Sequence, residues 1–204
     1  MREAVDQLGR SVSPALLRAT AATLQRLGPK QFNLTAVAEA AGVSRGTVHN
    51  ALGNRDAAIK TALDYVASVF IEMMAGEVRR HATLADQAAA AAVLICSHRQ
   101  RSGAIAPGGL SESVLLLLLR NSGDDLMKRS IELWKPLVRA AQERGEVRAG
   151  VEPAGAAEWI VRMLLSFELL PPMRVNLDNP RAVRRFVSEY IVAGLVDNPT
   201  TSPR

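Results

Sequence analysis

The sequence predicts an all-α protein of roughly nine helices, and three observations carry that reading. Aromatic residues make up only 4% of the 204-residue chain, β-branched residues are scattered, and no run alternates apolar and polar residues between turns, so strand signals are nearly absent. Apolar residues instead recur at intervals of three and four along most of the chain. The breaks between these runs carry helix punctuation: short polar N-caps, prolines in first turns, and glycines just past the ends.

Taken in order, the spacing predicts helices over 14–27, 34–41, 45–51, 55–80, 84–100, 111–121, 124–144, 153–170 and 180–195. The first opens at Pro14 and runs through LLRATAATLQRLG. Asn33 is the N-cap of the second, because a short side-chain oxygen takes one of the orphan amides of a first turn. Val37, Ala40 and Ala41 then form its apolar face at i, i+3 and i+4. Gly42 ends it with a left-handed turn, Val43 fills the space between two helices, and Ser44 caps the third. That third helix presents Arg45, Thr47, His49 and Asn50 and has few large apolar residues, mainly Val48 and Leu52. Asn54 caps the fourth. AAAAA at 88–92 marks a tightly packed fifth helix. APGG at 106–109 is a loop with no strand before it, so it does not cradle a nucleotide. Gly123-Asp124 opens the seventh helix, Gly145 and Gly150 end it, Pro153 starts the eighth, Pro171-Pro172 stops it, and Asn179-Pro180 starts the last.

Charge separates the ends of the chain. Residues 1–60 hold eight basic residues (Arg2, Arg10, Arg18, Arg26, Lys30, Arg45, Arg55, Lys60) and four acidic ones (Glu3, Asp6, Glu39, Asp56), which leaves +4 of the total +5 there. The remaining 17 basic and 16 acidic residues nearly cancel. Such a basic excess beside a short polar helix suits phosphate neutralisation by a helix-turn-helix whose second helix enters the DNA major groove. Arg45, Thr47, His49 and Asn50 can reach phosphates and base edges.

The run from about Pro14 to Leu63 closely resembles the TetR family of bacterial transcriptional regulators. The resemblance rests on the spacing of Gly28, Asn33, Ala38, Gly42, Ser44, Gly46 and Thr47, on VAEAAGVSRGTV, and on the charged helix start NRDAAI. There are departures: His49 stands where the family usually has tyrosine, Leu52 where it has phenylalanine, and Arg55 where it has lysine. The resemblance implies phosphate roles for His49 and Arg55, so the expected DNA-binding set is Asn33, Ser44, Arg45, Thr47, His49, Asn50 and Arg55. It also implies a ligand-responsive regulator, a repressor that releases a palindromic double-stranded DNA operator when a small, hydrophobic effector binds. The expected division is a DNA-binding domain over 1–60 and an effector-binding and dimerisation domain over 61–204.

For the body, the resemblance implies an effector site among Phe70, Met73, Met74, Cys96, Trp134 and Phe167. Taken singly, each is more often core than pocket, since methionine fills irregular core gaps as readily as it adapts to ligands. Cys96 lies in an apolar run, where a buried, inert thiol is expected. Trp159, Ile160, Met163, Leu164, Phe167 and Leu170, then Val183, Phe186, Val187, Tyr190, Ile191 and Gly194, make two wide apolar stripes. The expected use is a homodimer formed through Trp159, Met163, Phe186 and Tyr190, because a helix-turn-helix of this type reads two half-sites.

Catalytic signals are missing. His49, His81 and His98 are far apart, none with a neighbouring carboxylate at metal-ligand spacing, and Glu112 alone cannot carry acid-base chemistry. H-E-x-x-H, paired cysteines and phosphate loops do not occur. The expectation is a non-enzyme with no metal and no cofactor. No apolar stretch approaches the ~20 residues that span a bilayer, and MREAVDQLGR lacks a signal-peptide core, so the expected location is the cytoplasm. The alternative reading is a helical small-molecule-binding protein, or degenerate enzyme, that keeps the helix-turn-helix as scaffolding.

Overall fold

A computed structural model describes residues 12–101 and 114–195, and all their regular elements are helical. They are α1 (Pro14–Gln31), α2 (Leu34–Ala41), α3 (Arg45–Leu52), α4 (Arg55–Val78), α5 (Leu84–Arg101), α6 (Val114–Glu143), α7 (Pro153–Leu169) and α8 (Pro180–Phe186). A π-helical turn, Val187–Val192, and a 3-10 turn, Ala193–Leu195, continue α8. The loop expected at 106–109, the helix start expected at 111, and Glu112 lie outside the described residues.

Local chemistry explains most boundaries. Ser13 caps α1 by accepting the Leu16 amide at 3.3 Å. Gly28, at φ 67°, breaks the regular spiral just after Leu27, and one further turn ends at Gln31. Asn54 accepts the Ala57 amide at 2.9 Å to open α4, and Thr83 accepts the Asp86 amide at 3.1 Å to open α5. Glu152 takes the amides of Ala154 and Gly155 ahead of Pro153, and Asn179 takes those of Arg181 and Ala182 ahead of Pro180.

Two elements differ from expectation. The helices read separately over 111–121 and 124–144 are joined into α6, with a single non-helical residue, Ser122 (φ −147°, ψ 29°), between them. The Ser122 hydroxyl lies 3.4 Å from the Asp64 carboxylate on α4. The last helix is α-helical only as far as Phe186, because the backbone then widens into the π turn. Near its end the Ile191 carbonyl accepts the indole N–H of Trp159 at 3.1 Å, which satisfies that backbone oxygen from outside the helix.

The described residues fall into two compact units. The first holds 12–70 and 114–126, the second 71–101 and 127–195. In the first, α2 packs on both α1 and α3, around Leu24, Phe32, Val37, Val48 and Leu63, all fully buried. In the second, α5 packs against α7, α8 and the π turn. Its run of alanines, Ala88 to Ala92, is buried on every side of the helix, because alanines let the neighbouring helices approach closely. Val78, Trp134, Val138, Ile160, Val183 and Val187 complete that core.

Candidate nucleic-acid interface

The helix-turn-helix is built from two caps and one left-handed glycine. Asn33 accepts the Ala36 amide at 2.9 Å and donates its own amide hydrogen to Gln31 O at 3.1 Å, so both ends of the side chain are fixed. Phe32 before it and Val37 after it occupy the N′ and N4 positions of a hydrophobic staple, and both are buried. The pattern of an apolar residue, a polar cap and a second apolar residue four positions on is legible in the sequence itself. Gly42 (φ 65°, ψ 33°) ends α2, and the Val43 amide reaches back to Ala38 O at 3.1 Å. Such a conformation costs an L-residue roughly 1–2 kcal/mol, which glycine avoids.

Ser44 then caps α3, accepting the Thr47 amide at 3.0 Å while its hydroxyl oxygen lies 2.9 Å from Thr47 Oγ1. Two hydroxyls share one hydrogen bond there, so one hydrogen stays available to an outside acceptor such as a phosphate oxygen. Val48 and Leu52 are buried, one turn apart, and orient the helix. Arg45, Gly46, Thr47, His49 and Asn50 consequently all face solvent. Exposed cationic and hydrogen-bonding side chains on a short helix held by two apolar residues can address an anionic polymer without unfolding anything.

Two local expectations are corrected. Val43 does not fill the space between α2 and α3: it is 39% exposed, since Val37 and Val48 already occupy the interior and the turn holds Val43 by its backbone. Ala40 is exposed too, and Ala38 is buried in its place. The inward stripe of α2 is Leu34, Val37, Ala38 and Ala41, which is i, i+3, i+4 and i+7 counted from the first helical residue.

Arg55 is turned back on its own unit. Its Nε donates to Phe32 O at 2.9 Å, Nη2 donates to Pro29 O, and Nη1 lies 3.3 Å from Asp56 Oδ1. The guanidinium thereby ties the start of α4 to the chain directly before the cap of α2. That tie links residues 23 positions apart, and no local pattern announces it.

The residues expected at an effector site divide by exposure. Met74, Cys96, Trp134 and Phe167 are buried, Phe70 is half-buried, and Met73 faces solvent. Burial pushes the Cys96 thiol up to about 11, so it stays protonated and unreactive at neutral pH. A cavity of about 20 Å³ adjoins Cys96, lined also by Gln100, Asp178 and Val183. Burial also raises the Glu168 carboxyl, against the opposing charges of His98 and Arg99. Arg99 in turn donates to Phe167 O at 3.1 Å and Leu170 O at 2.8 Å, which satisfies the open end of α7.

The terminal stripes split into two faces. Ile160, Leu164, Phe167, Val183, Val187 and Ile191 point inward, whereas Trp159 and Tyr190 are exposed and Met163 and Phe186 half-buried. Phe186 meets Phe167 edge-on at 6.1 Å and Tyr190 at 5.1 Å. One histidine does have a carboxylate near it, contrary to expectation: Glu77 Oε1 lies 3.6 Å from His81 Nε2, one helical turn away. Among the described residues no group of three metal-ligating side chains forms, and no helix is long and apolar enough to cross a membrane.

No family model and no curated protein matches the sequence. Solved structures do match the fold. The TetR family repressor AlkX from Dietzia sp. strain DQ12-45-1b is 23% identical with a TM-score of 0.56, over 93% of this chain and 100% of that one. SmeT, the repressor of the Stenotrophomonas maltophilia multidrug efflux pump SmeDEF, is 17% identical with a TM-score of 0.63, over 95% of each chain. The chain has the TetR-family fold. AibR, solved with isovaleryl coenzyme A and operator DNA, shares that fold at 15% identity and a TM-score of 0.57, over 87% of this chain and 97% of the other. Within this TetR-family fold the three departures have distinct settings. Leu52 is buried, His49 is exposed on α3, and Arg55 is held by backbone carbonyls.

Proposed function

We propose that this chain is a ligand-responsive DNA-binding regulator of transcription, a homodimeric repressor that leaves a palindromic operator when a small hydrophobic effector binds. The observation that carries the proposal is α3, a capped helix whose Arg45, Thr47, His49 and Asn50 all face solvent while Val48 and Leu52 anchor it. The basic excess over residues 1–60 supports it, as does a fold shared with repressors and with a protein solved on operator DNA. Asn33 and Ser44 position backbone amides for phosphate, and Arg55 contributes chiefly by bracing the start of α4. The working division is residues 1–60 for DNA and 61–204 for effector and dimer, in a cytoplasmic protein without catalytic activity.

Effector binding is proposed in the body, among Phe70, Met73, Met74, Cys96, Trp134 and Phe167. The cavity of about 20 Å³ beside Cys96 holds little more than one water, so an effector enters by parting packed side chains. Helix α4 carries Arg55 at one end and Met74 towards the other over 24 residues, about 36 Å. A tilt at one end therefore moves the other. Linkage then requires the operator to weaken effector binding by the factor by which the effector weakens operator binding.

The test is to select fragments of the source genome on purified protein and measure their affinity by gel shift over a salt series. The expected result is a preferred palindrome whose log affinity falls linearly with log salt. Retention no better than bulk DNA would leave the helix-turn-helix as scaffolding and end this reading.

A further inference from the structure

In the first unit a cleft of about 330 Å³ opens between the last turn of α1, the start of α4 and the beginning of α6. That is within the ~300–1,000 Å³ of small-molecule sites. Its floor is apolar, with Leu117 buried and Ile59 half-buried. Its rim is charged. Arg55 is held by Phe32 O and Pro29 O and pairs with Asp56, so those two opposite charges answer each other within the wall. Asn121 donates to Leu117 O at 2.7 Å, which leaves its side-chain oxygen free to accept. Lys30 is exposed and makes no ion pair among the described residues, so its charge is the one left over in the lining.

We propose that this cleft binds a small organic anion, with a carboxylate or phosphate group against Lys30 and a short apolar body over Ile59 and Leu117. The leftover cation selects the charge of the occupant, and the apolar floor selects a molecule with something to bury. A DNA backbone phosphate would satisfy Lys30 but leave Ile59 and Leu117 uncovered. An occupant would rest against Arg55, whose other bonds fix the chain just ahead of the α2 cap. The inference goes beyond the regulatory reading and does not depend on it, because the site is probed on the free protein.

The test is a titration of the isotope-labelled full chain with benzoate and, separately, with the uncharged benzamide, followed by nuclear magnetic resonance. Benzoate should give saturable shifts in the millimolar range at Lys30, Ile59, Leu117 and Asn121. Benzamide should bind about fivefold more weakly, and Lys30→Gln should erase that difference. Lys30 is exposed, so the variant should fold as the parent does. Equal binding of the two probes, shifts centred elsewhere, or no saturable response would overturn the proposal. So would Lys30→Gln weakening duplex DNA binding with no benzoate response in the parent, which would make Lys30 a backbone contact.

Discussion

The indole nitrogen of Trp159 donates to the carbonyl oxygen of Ile191 across 3.1 Å, yet 42% of the ring's residue surface remains exposed. The hydrogen bond fixes an apolar plate on the outside of the second unit, with Tyr190, 66% exposed, also on its surface. Fixed aromatic surface suits a symmetric partner, because little side-chain freedom is lost when it is covered. The chain should sediment as a dimer at micromolar concentration, and Tyr190→Arg should yield a monomer whose melting temperature falls only by the partner's contribution and one ring contact with Phe186. Phe186→Asp should instead lower folding stability as well, since its ring lies edge-on against the buried Phe167. A monomeric parent protein would count against this interface.

Arg45→Ala and His49→Ala should each weaken operator binding without moving the melting temperature, because both side chains are exposed in the free protein. If Arg45 neutralises one phosphate, its loss reduces the slope of log affinity against log salt by about one. Gel shifts at four or five salt concentrations measure it. Unchanged affinity in both variants would remove α3 from the interface.

Arg55→Met should behave differently from either. Losing the ties to Phe32 O and Pro29 O should cost about 1 kcal/mol, discounted for a side chain 45% exposed. The melting temperature should then fall by roughly 2–4 °C. Operator affinity should decline with the salt slope unchanged. A slope reduced by about one would instead make Arg55 a direct phosphate ligand.

Gly42 and Gly46, four positions apart, should respond in opposite ways. An alanine at Gly42 meets no neighbouring atom but must adopt φ 65°, so Gly42→Ala should destabilise by about 1 kcal/mol through backbone strain alone. At Gly46 the added carbon would sit in ordinary contact, 3.6 Å from Ser44 Oγ, with no positive φ. Gly46→Ala should therefore raise stability by roughly 0.5–1 kcal/mol. Chemical denaturation of both variants checks the contrast.

The Glu146 carboxylate accepts Arg144 Nε at 2.6 Å and the Leu84 amide at 2.9 Å, and these bonds, Arg144 first, hold it below its usual 4.5. A depressed acid contributes stability above its unfolded value and loses it as the pH falls through the folded one. Glu146→Gln should therefore lower the melting temperature at pH 7 by a few degrees. The gap between variant and parent should close as the pH falls below 4.5. A gap constant from neutral to acid pH would show that charge has no part in holding the start of α5.

Local signals made the helix-turn-helix legible. Asn33, Gly42 and Ser44 each act through residues within five positions, and the structure places all three as caps. The all-α class followed from spacing in the same way. What a linear pattern misses is geometry settled by distant neighbours. Periodicity could not tell which edge of the Trp159–Leu170 stripe turns inward, because that depends on the helices packed against it. It also gave Ala40 for Ala38, a rotation of about half a turn, since alanines on every side of α2 leave the apolar face poorly marked. The Arg55 brace spans 23 positions, and Ser122 breaks α6 with a single residue where Gly123 drew attention.

The π turn at Val187–Val192 gives the end of the chain an unusual tolerance to changes in length. A π turn holds one residue more than an α turn while keeping the flanking side chains in phase. Removing Ser188, which is exposed, would let the segment close into an ordinary α-helix and still deliver Ile191, Val192 and Leu195 to the neighbours they bury against. In a regular helix the same deletion would rotate everything after it by about 100°. Insertions and deletions among homologues are thus expected to collect here, with the aromatic plate outside and the valine core inside both left where they are.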